Sequence, residues 1–171
     1  VGVVCNPVVE TDVSDLEPDG SLNTSTTDLT DAGGFTVSGQ AAWDGALSNL
    51  LDNNAGTYAV IDLGKNYIND GTSRCVNKFT ITQRSIATPY ATGIAFIGVA
   101  SGGAETVLGT FSGLTFASGE KKTFTVSNST EYAYYGFQWV TSTSYYVMWS
   151  EIELIEAEGS TGYQYALTYP T

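Results

Sequence analysis

Two short segments that lie far apart in the sequence constrain the fold of this chain more than any other feature. The first, residues 50–57, is an acidic turn of short polar side chains. It runs directly into residues 58–63, a strand with mainly apolar positions that ends at Gly64. The second, residues 149–154, alternates like a strand and carries Glu151 near its start. A hard cation binds several oxygens, and only folding brings such separated segments together. The pair therefore predicts a β-sandwich in which a bound cation holds the two segments together.

Short apolar segments separated by turn residues continue along the chain from residue 35. About eight of them have the composition of strands: residues 35–38, 58–63, 76–82, 93–100, 106–108, 122–126, 134–140 and 147–155. Residues 93–100 are nearly all apolar, which is typical of a strand covered on both faces. Only residues 45–51 resemble a helical turn. This pattern predicts an all-β, antiparallel sandwich or jelly roll rather than a parallel α/β fold.

The two ends of the chain differ in composition from the middle. Residues 1–34 are acidic and poor in apolar side chains, which predicts an N-terminal arm. Residues 157–171 form a C-terminal tail rich in tyrosine, and residues 35–156 form the predicted sandwich. Within the arm, residues 15–23 carry alternate acids like the first half of a calcium-binding loop. Thr26, however, stands where the bidentate glutamate belongs, which favours a solvated acidic loop.

The charge balance excludes several classes of partner. Eighteen acidic residues against six basic ones give a net charge of −12, and the first 64 residues contain no Lys or Arg. Without a basic stripe to neutralise phosphates, nucleic acid is excluded as a partner, and an anionic membrane surface would repel the chain. No apolar run approaches the ~20 residues of a membrane span, so membrane insertion is not expected. The same acidity also suits solubility in a salty exterior.

The chain contains two cysteines, Cys5 and Cys75. A disulfide between them would close a long loop and stabilise the fold by about 2–4 kcal/mol. Two unpaired buried thiols are the alternative. The secreted-looking composition favours the bridge, and with it an extracellular, cell-surface or virion-surface location.

The acidic turn, the Asp62-Leu63-Gly64 strand end and the strand around Glu151 resemble the start and end of the discoidin family. This galactose-binding-like jelly-roll family includes F5/8 type C domains and family 32 carbohydrate-binding modules, and the resemblance covers roughly residues 35–156. It implies a structural Ca2+ held by turn carbonyls and by the side chains of Asp52, Asn54, Thr57 and Glu151. Asn53, at the family glycine, tolerates a left-handed conformation. The alternative is an Asx turn in which Asp52 caps backbone amides and Glu151 is solvated.

Carbohydrate binding needs an exposed aromatic face beside an amide, carboxylate or guanidinium. Tyr90, Tyr145 and Tyr146 lie in or beside predicted loops, and Trp139 is predicted to be a core residue. Arg84 follows a strand at a loop where the family often places ligand contacts; an ordinary surface arginine is the alternative. These four loop residues, Arg84, Tyr90, Tyr145 and Tyr146, are the candidate ligand contacts.

Two departures from the family weaken the expectation of a sugar pocket. The insertion that usually separates the threonine-aromatic pair from the next strand is absent, because Thr57-Tyr58 runs directly into residues 59–64. The chain also has no histidine. Without histidine there is no Ser-His or Cys-His dyad and no His-ligated zinc, and no glycine-rich phosphate loop is present. The sequence therefore predicts that the protein is not an enzyme.

Two classes of function remain open on the sequence. The first is a non-catalytic extracellular or virion-surface structural and attachment protein that assembles through its termini with copies of itself or with other surface or capsid proteins. The tyrosine-rich tail favours this interpretation, because tyrosine is enriched in contact surfaces. The second is a lectin-like adhesion module that binds glycans. On the sequence alone we favour the first.

Overall fold

The computed structural model describes residues 28–86 and 89–156. Ten strands form two five-stranded sheets whose pairings are all antiparallel. The strands are β1 (Thr36–Gly39), β2 (Ala42–Gly45), β3 (Ala59–Asp62), β4 (Lys65–Asn69), β5 (Val76–Gln83), β6 (Ala91–Val99), β7 (Glu105–Ser112), β8 (Lys121–Thr125), β9 (Tyr134–Ser142) and β10 (Tyr146–Glu156). One sheet has the order β1-β4-β9-β6-β7 and the other the order β2-β3-β10-β5-β8. The predicted antiparallel β-sandwich is confirmed.

Eight of the ten strands correspond to the segments predicted from the sequence, and β2 and β4 were not predicted. Strand β4 points Asn66 and Ile68 toward the interior, so its buried face does not show the apolar alternation of a half-buried strand. Asn66 is buried because its side chain accepts a hydrogen bond from Trp139 Nε1 at 3.1 Å and donates to the Gln40 carbonyl at 2.8 Å. The predicted helical turn is a 3-10 helix at Leu47–Leu51. Among the described residues, no helix is long and apolar enough to cross a membrane.

Aromatic side chains fill the space between the sheets. Phe79 of β5 lies at the centre of this cluster. Its ring lies within 6 Å of four others, those of Phe96, Phe111, Phe124 and Phe137. The predicted core position of Trp139 is confirmed, since only 2% of the residue is exposed. Rings contributed by both sheets therefore form the centre of the core, and each of them buries a large apolar area.

Strand β6 is covered on both faces, as its apolar sequence predicted. Ile97 lies on the face opposite the core and is 1% exposed. The ring of Tyr67 lies across Gly136, where a Cβ atom would come within 2.9 Å of it. The Tyr67 hydroxyl donates to Glu105 at 2.6 Å, and this interaction raises the Tyr67 pKa to about 12. Tyr67 thus connects β4 to β7 across the intervening strands β9 and β6.

The described part of the predicted arm contacts the sandwich. Leu29 is buried in the core, and its amide donates to the Leu154 carbonyl at 2.8 Å. The remainder of the arm, the acidic loop at 15–23 and the tail at 157–171 lie outside the described residues, so the predicted domain boundaries remain predictions. Cys5 also lies outside them. Cys75 is fully buried, and the bridge remains a prediction.

Asp28 should make stability depend on pH. Burial, partly offset by hydrogen bonds from Thr30 and reinforced by Asp31, raises its pKa to about 6. The folded state then binds the Asp28 proton more tightly than the unfolded chain, in which the pKa of aspartate is about 3.9. The contribution of Asp28 to stability therefore falls as pH rises from about 4 to about 6 and is constant above that range.

We expect Asp28→Asn to remove the Asp28 contribution and so to make the decline of stability with pH shallower, because asparagine keeps the acceptor oxygen and cannot ionise. Urea unfolding midpoints measured across this pH range would show it. A variant whose midpoint declines as steeply as that of the wild type would contradict the prediction.

Candidate functional site

The acidic turn is organised around the carboxylate of Asp52. The 3-10 helix at Leu47–Leu51 ends at Asp52, and Asn53 adopts a left-handed conformation with φ of 55°. The Asn54 amide donates to Asp52 Oδ1 at 3.0 Å. The Thr57 hydroxyl lies 2.9 Å from each oxygen of that carboxylate. The predicted tolerance of Asn53 for this conformation is confirmed. The carboxylate of Asp52 points toward the hydroxyl of Thr57.

Glu151 of β10 reaches the same turn. Its carboxylate accepts a hydrogen bond from the Asn54 amide at 2.5 Å, and only 6% of the residue is exposed. An irregularity in the β10–β5 pairing between Trp149 and Glu151 shifts the register at this point. Burial, together with the neighbouring Asp52 carboxylate, raises the pKa of Glu151 to about 7, although the Asn54 amide opposes the shift. The structure therefore brings the two predicted carboxylates together.

The chemistry of these groups fits a hard cation. Oxygen atoms converge from Asp52, Glu151, the Thr57 hydroxyl and the Asn54 carbonyl, and the last two lie 2.7 Å apart. The Asn54 side chain instead accepts from the Gly56 amide at 3.0 Å. Two adjacent carboxylates repel each other unless one is protonated or a cation lies near both. Part of the Asx-turn alternative also holds, because Asp52 caps an amide, but Glu151 is buried rather than solvated. Among the described residues, no group of three or more acidic, His or Cys side chains converges on a metal-sized site.

A second group of side chains lies on the outer face of the sheet β2-β3-β10-β5-β8. Val147 and Trp149 belong to the core, so Tyr146 and Met148 point to the opposite, outer face. Met148 is the register partner of Val60, which in turn pairs with Asp44. We define the outer-face patch by its polar and aromatic members: Trp43, Asp44, Tyr58, Arg84, Tyr145 and Tyr146.

Arg84 is held in this patch by uncharged neighbours. Its guanidinium carbon lies 3.4 Å from the centroid of the Tyr58 ring, and Nη1 lies 3.6 Å from the sulfur of Met148. The Tyr58 hydroxyl donates to Asp44 Oδ2 at 3.1 Å. Arg84 forms no ion pair with a carboxylate of the described residues. Cation–π contact therefore positions a charged group whose N–H donors are not committed to a carboxylate.

Three aromatic rings continue the patch away from Arg84. Trp43 and Tyr146 form a T-shaped pair whose ring centroids lie 5.2 Å apart. Tyr145 and Tyr146 form a second T-shaped pair, with centroids 5.1 Å apart. Trp43 is 57% exposed and Tyr145 is 73% exposed. Clusters of exposed aromatic side chains on a soluble domain mark interaction sites. The patch thus combines apolar ring faces with hydrogen-bonding groups.

Comparison with known proteins bears on the fold. No family model matches the chain, and no curated protein sequence matches it. A solved structure of the family 32 carbohydrate-binding module of Clostridium perfringens NanJ in complex with galactose is similar, with 18% identity, a TM-score of 0.64, and coverage of 76% of this chain and 98% of that one. The module CpGH89CBM32-5 from the same organism, in complex with GalNAc-β-1,3-galactose, has 16% identity, a TM-score of 0.66, and coverage of 75% and 99%. The chain has a galactose-binding-like jelly-roll fold of the family 32 type.

A third similar structure is the chitosan-binding module 1 of a chitosanase/glucanase from Paenibacillus sp. IK-5, with 19% identity, a TM-score of 0.54, and coverage of 71% of this chain and 92% of that one. Identities this low establish the family 32-type fold and nothing about the ligand of this chain. The predicted resemblance is confirmed at the level of the fold.

The remaining predicted ligand residue, Tyr90, is partly buried and packs against the hydrophobic core. Its ring packs on Phe116 with centroids 6.0 Å apart, and its carbonyl accepts a hydrogen bond from Ser142 Oγ at 2.9 Å. The structure brings Arg84, Tyr145 and Tyr146 into one patch, and the ligand role of Tyr90 remains a prediction.

Sequence reasoning did not single out Trp43, Asp44 or Tyr58 as ligand contacts. Trp43 and Asp44 lie on β2, which was not predicted, and Tyr58 was assigned to a buried run. The only sequence signal is an aromatic residue next to an acid and a glycine, at residues 43–45, and such a signal is weak on its own. Only the register of the strands and the contacts between them show that Trp43, Asp44 and Tyr58 lie on one surface.

Proposed function

We propose that this protein is a non-catalytic carbohydrate-binding module that binds glycan on its outer-face patch. The observation that carries the proposal is the exposed aromatic row beside Arg84, whose guanidinium is positioned by Tyr58 and not neutralised by a described carboxylate. The similar solved structures support it, because two of them are family 32 modules in complex with galactose and with GalNAc-β-1,3-galactose.

The patch matches the chemistry of a pyranose. A sugar ring offers C–H groups on its faces, which pack on aromatic rings, and hydroxyl groups at its rim, which need hydrogen-bond partners. Trp43 and Tyr145 supply exposed rings, Arg84 supplies donors, and the Asp44 carboxylate supplies acceptors. None of these interactions requires a catalytic group, so the chemistry expected of this surface is binding.

The comparisons favour glycan binding over the assembly function that the sequence suggested. That interpretation relied on the acidic arm and the tyrosine-rich tail, most of which lie outside the described residues. None of the similar structures reported above is named as an assembly or capsid protein. We place the module outside the cell as part of the same proposal, because glycans are displayed there and the two cysteines suit an oxidising environment.

A glycan array followed by calorimetry tests the function. We expect the wild-type chain to bind at least one glycan, and Arg84→Ala and Tyr145→Ala to weaken that binding by about tenfold each. Tyr134→Ala is the matched control, because Tyr134 is 39% exposed on the other sheet and should leave binding unchanged. An empty array, combined with light scattering that shows oligomers lost on removal of residues 159–171, would support the assembly function instead.

We also propose that Asp52, Asn54, Thr57 and Glu151, with the turn carbonyls, hold a structural Ca2+. The cation would join the acidic turn to β10, and its binding would stabilise the native state by about 2.7 kcal/mol at a concentration one hundred times Kd. We expect the melting temperature of the wild type to rise with Ca2+ and fall with chelator, and Asp52→Ala to abolish both shifts.

Glu131→Ala is the control for this experiment, because it removes a carboxylate outside the turn and should keep the response. The proposal fails if neither Ca2+ nor chelator moves the melting temperature of the wild type. Glycan binding by Asp52→Ala at a temperature where it is folded separates this structural role from the binding function.

The Cys5–Cys75 bridge is a further part of the proposal. Non-reducing mass spectrometry of the native chain should give a mass lower than that of the reduced chain by two hydrogen atoms. Reduction should then lower the melting temperature, because the closed loop restricts the unfolded chain. Alkylation of both cysteines in the native, unreduced protein would rule out the bridge and the argument for an oxidising location.

A further inference from the structure

The most unusual member of the outer-face patch is Trp43. It is the most exposed of the three tryptophans, and it lies on β2, which is an edge strand. The register of β2 against β3 shifts between Ala42 and Asp44, so Trp43 occupies an irregularity in the ladder. Bulges on edge strands re-aim a side chain and are common beside functional sites. Regular alternation after Ala42, which packs against the core, would place Trp43 on the outer face and Asp44 on the inner one, so the irregularity is what brings Asp44 to the outer face beside Trp43.

The ring geometry creates two separate stacking positions. Tyr146 is half-buried and stands at 87° to Trp43 and at 75° to Tyr145. Because each exposed ring forms its own T-shaped pair with Tyr146 and more than half of each residue is exposed, Trp43 and Tyr145 each offer an aromatic surface to a ligand. One pyranose covers about one aromatic ring, so a monosaccharide on Tyr145 leaves Trp43 uncovered. Two sugar units joined in a chain would use both rings.

The surface near Trp43 also carries its own polar groups. Asp44 follows Trp43 directly, and its Oδ1 accepts a hydrogen bond from the Gly45 amide at 2.9 Å, which fixes the carboxylate. Asp44 also receives the Tyr58 hydroxyl. Val60 lies between its register partners Asp44 and Met148 on the outer face. It is nevertheless fully buried, so the surrounding described side chains cover it and no cavity opens beneath the patch at this point. A second sugar on Trp43 would therefore meet a firm surface and fixed acceptors.

The charges of the patch select the class of glycan. Asp44 lies on this face, as does Asp62, which is the register partner of Tyr146, and the only described cation within the patch is Arg84. The chain as a whole carries a net charge of −12. Uronate and sulfated glycans would be repelled over distances up to the Debye length, and neutral glycans would not.

We infer that the outer-face patch binds a neutral oligosaccharide of two or more hexopyranose units, with one unit on Tyr145 and the next on Trp43. This inference rests on the proposed carbohydrate-binding function and adds to it the length and charge of the ligand and the role of Trp43.

Titration calorimetry tests the inference. The ligands are neutral sugars based on galactose, glucose, N-acetylglucosamine and mannose, each as a monosaccharide and as longer oligomers. Polygalacturonate serves as the anionic counterpart. We expect affinity to rise about tenfold from the monosaccharide to the disaccharide of the preferred series, and polygalacturonate not to bind. Trp43→Ala should remove that gain, so that the variant binds the monosaccharide and the disaccharide with equal affinity, and Tyr145→Ala should weaken binding of both ligands. Tyr134→Ala is again the control, and matching melting curves confirm that the variants are folded.

Fluorescence gives a second measurement, because Trp139 and Trp149 are buried and Trp43 is exposed. The uncharged quencher acrylamide should quench mainly Trp43, and the bound disaccharide should protect it, whereas a monosaccharide should not. Equal affinity of the wild type for monosaccharide and disaccharide, or a disaccharide preference that survives Trp43→Ala, would overturn the inference and leave the binding function intact. Absence of any glycan binding would overturn both. Self-association lost in Trp43→Ala, without glycan binding, would assign the patch to a second copy of the chain.

Discussion

Replacement of Phe79 by alanine should lower the free energy of unfolding by about 3–5 kcal/mol. Phe79 is fully buried, and its ring packs on Phe96 of the opposite sheet with centroids 4.4 Å apart and stacks on Phe124 at 4.9 Å. Truncation removes a ring that both sheets contact and leaves a cavity that neighbouring rigid rings fill poorly. Since domains of this size are stable by about 5–15 kcal/mol, the variant should unfold at much lower urea concentration.

Urea denaturation followed by tryptophan fluorescence measures this loss. Phe111→Ala is the control, because Phe111 contacts Phe79 and Phe124 but is only half-buried on the edge strand β7. Its truncation should cost clearly less, since water reaches the vacated space. A Phe79→Ala variant as stable as Phe111→Ala would contradict the central place of Phe79 in the core.

Substitution of Gly45 by alanine should destabilise the fold by about 3 kcal/mol or more, because two costs act together. Gly45 has φ of +73°, a conformation that alanine adopts at a cost of about 1 kcal/mol. A Cβ atom at this position would also lie 2.0 Å from the Tyr58 carbonyl oxygen. Backbone atoms cannot rotate away as a flexible side chain can, so β2 must move relative to β3.

Gly71→Ala separates the two costs. Gly71 has φ of +82°, and nothing lies within 4 Å of its hypothetical Cβ atom, so this variant experiences only the conformational cost. Chemical denaturation of both variants should show Gly45→Ala as the less stable by at least about 1 kcal/mol. Because Gly45 follows Trp43 and Asp44, we also expect Gly45→Ala to weaken glycan binding. Equal stabilities for the two alanine variants would contradict the close approach of β2 to Tyr58.

The proposed cation site and the outer-face patch use different side chains and give different readouts. Asp52 and Glu151 join the acidic turn to β10, whereas Arg84 and Tyr145 offer groups to a ligand. We therefore expect Asp52→Ala to alter melting and its Ca2+ dependence, and Arg84→Ala to alter glycan affinity with little effect on melting. This separation allows the two proposals to fail independently.

Part of the outer-face patch could be anticipated from the sequence, and part could not. Arg84, Tyr145 and Tyr146 follow from their places beside loops, because polar and aromatic side chains at such places commonly serve as contacts. Trp43 and Tyr58 could not be assigned in this way. Trp43 meets Tyr146, and Tyr58 lies under Arg84, only because β2, β3, β10 and β5 are neighbours in one sheet.

The sequence by itself determined eight of the ten described strands, the antiparallel class and the existence of an acidic turn, because these depend on local alternation and turn residues. It did not reveal β4, since the inward position of Asn66 makes sense only once Trp139 is seen to donate to it. The tertiary structure also decided that Glu151 is buried against Asp52 and that Trp43 faces solvent beside Tyr146. These features depend on strand order and on register shifts in β2 and β10, which are set by packing across the whole sandwich rather than by neighbouring residues.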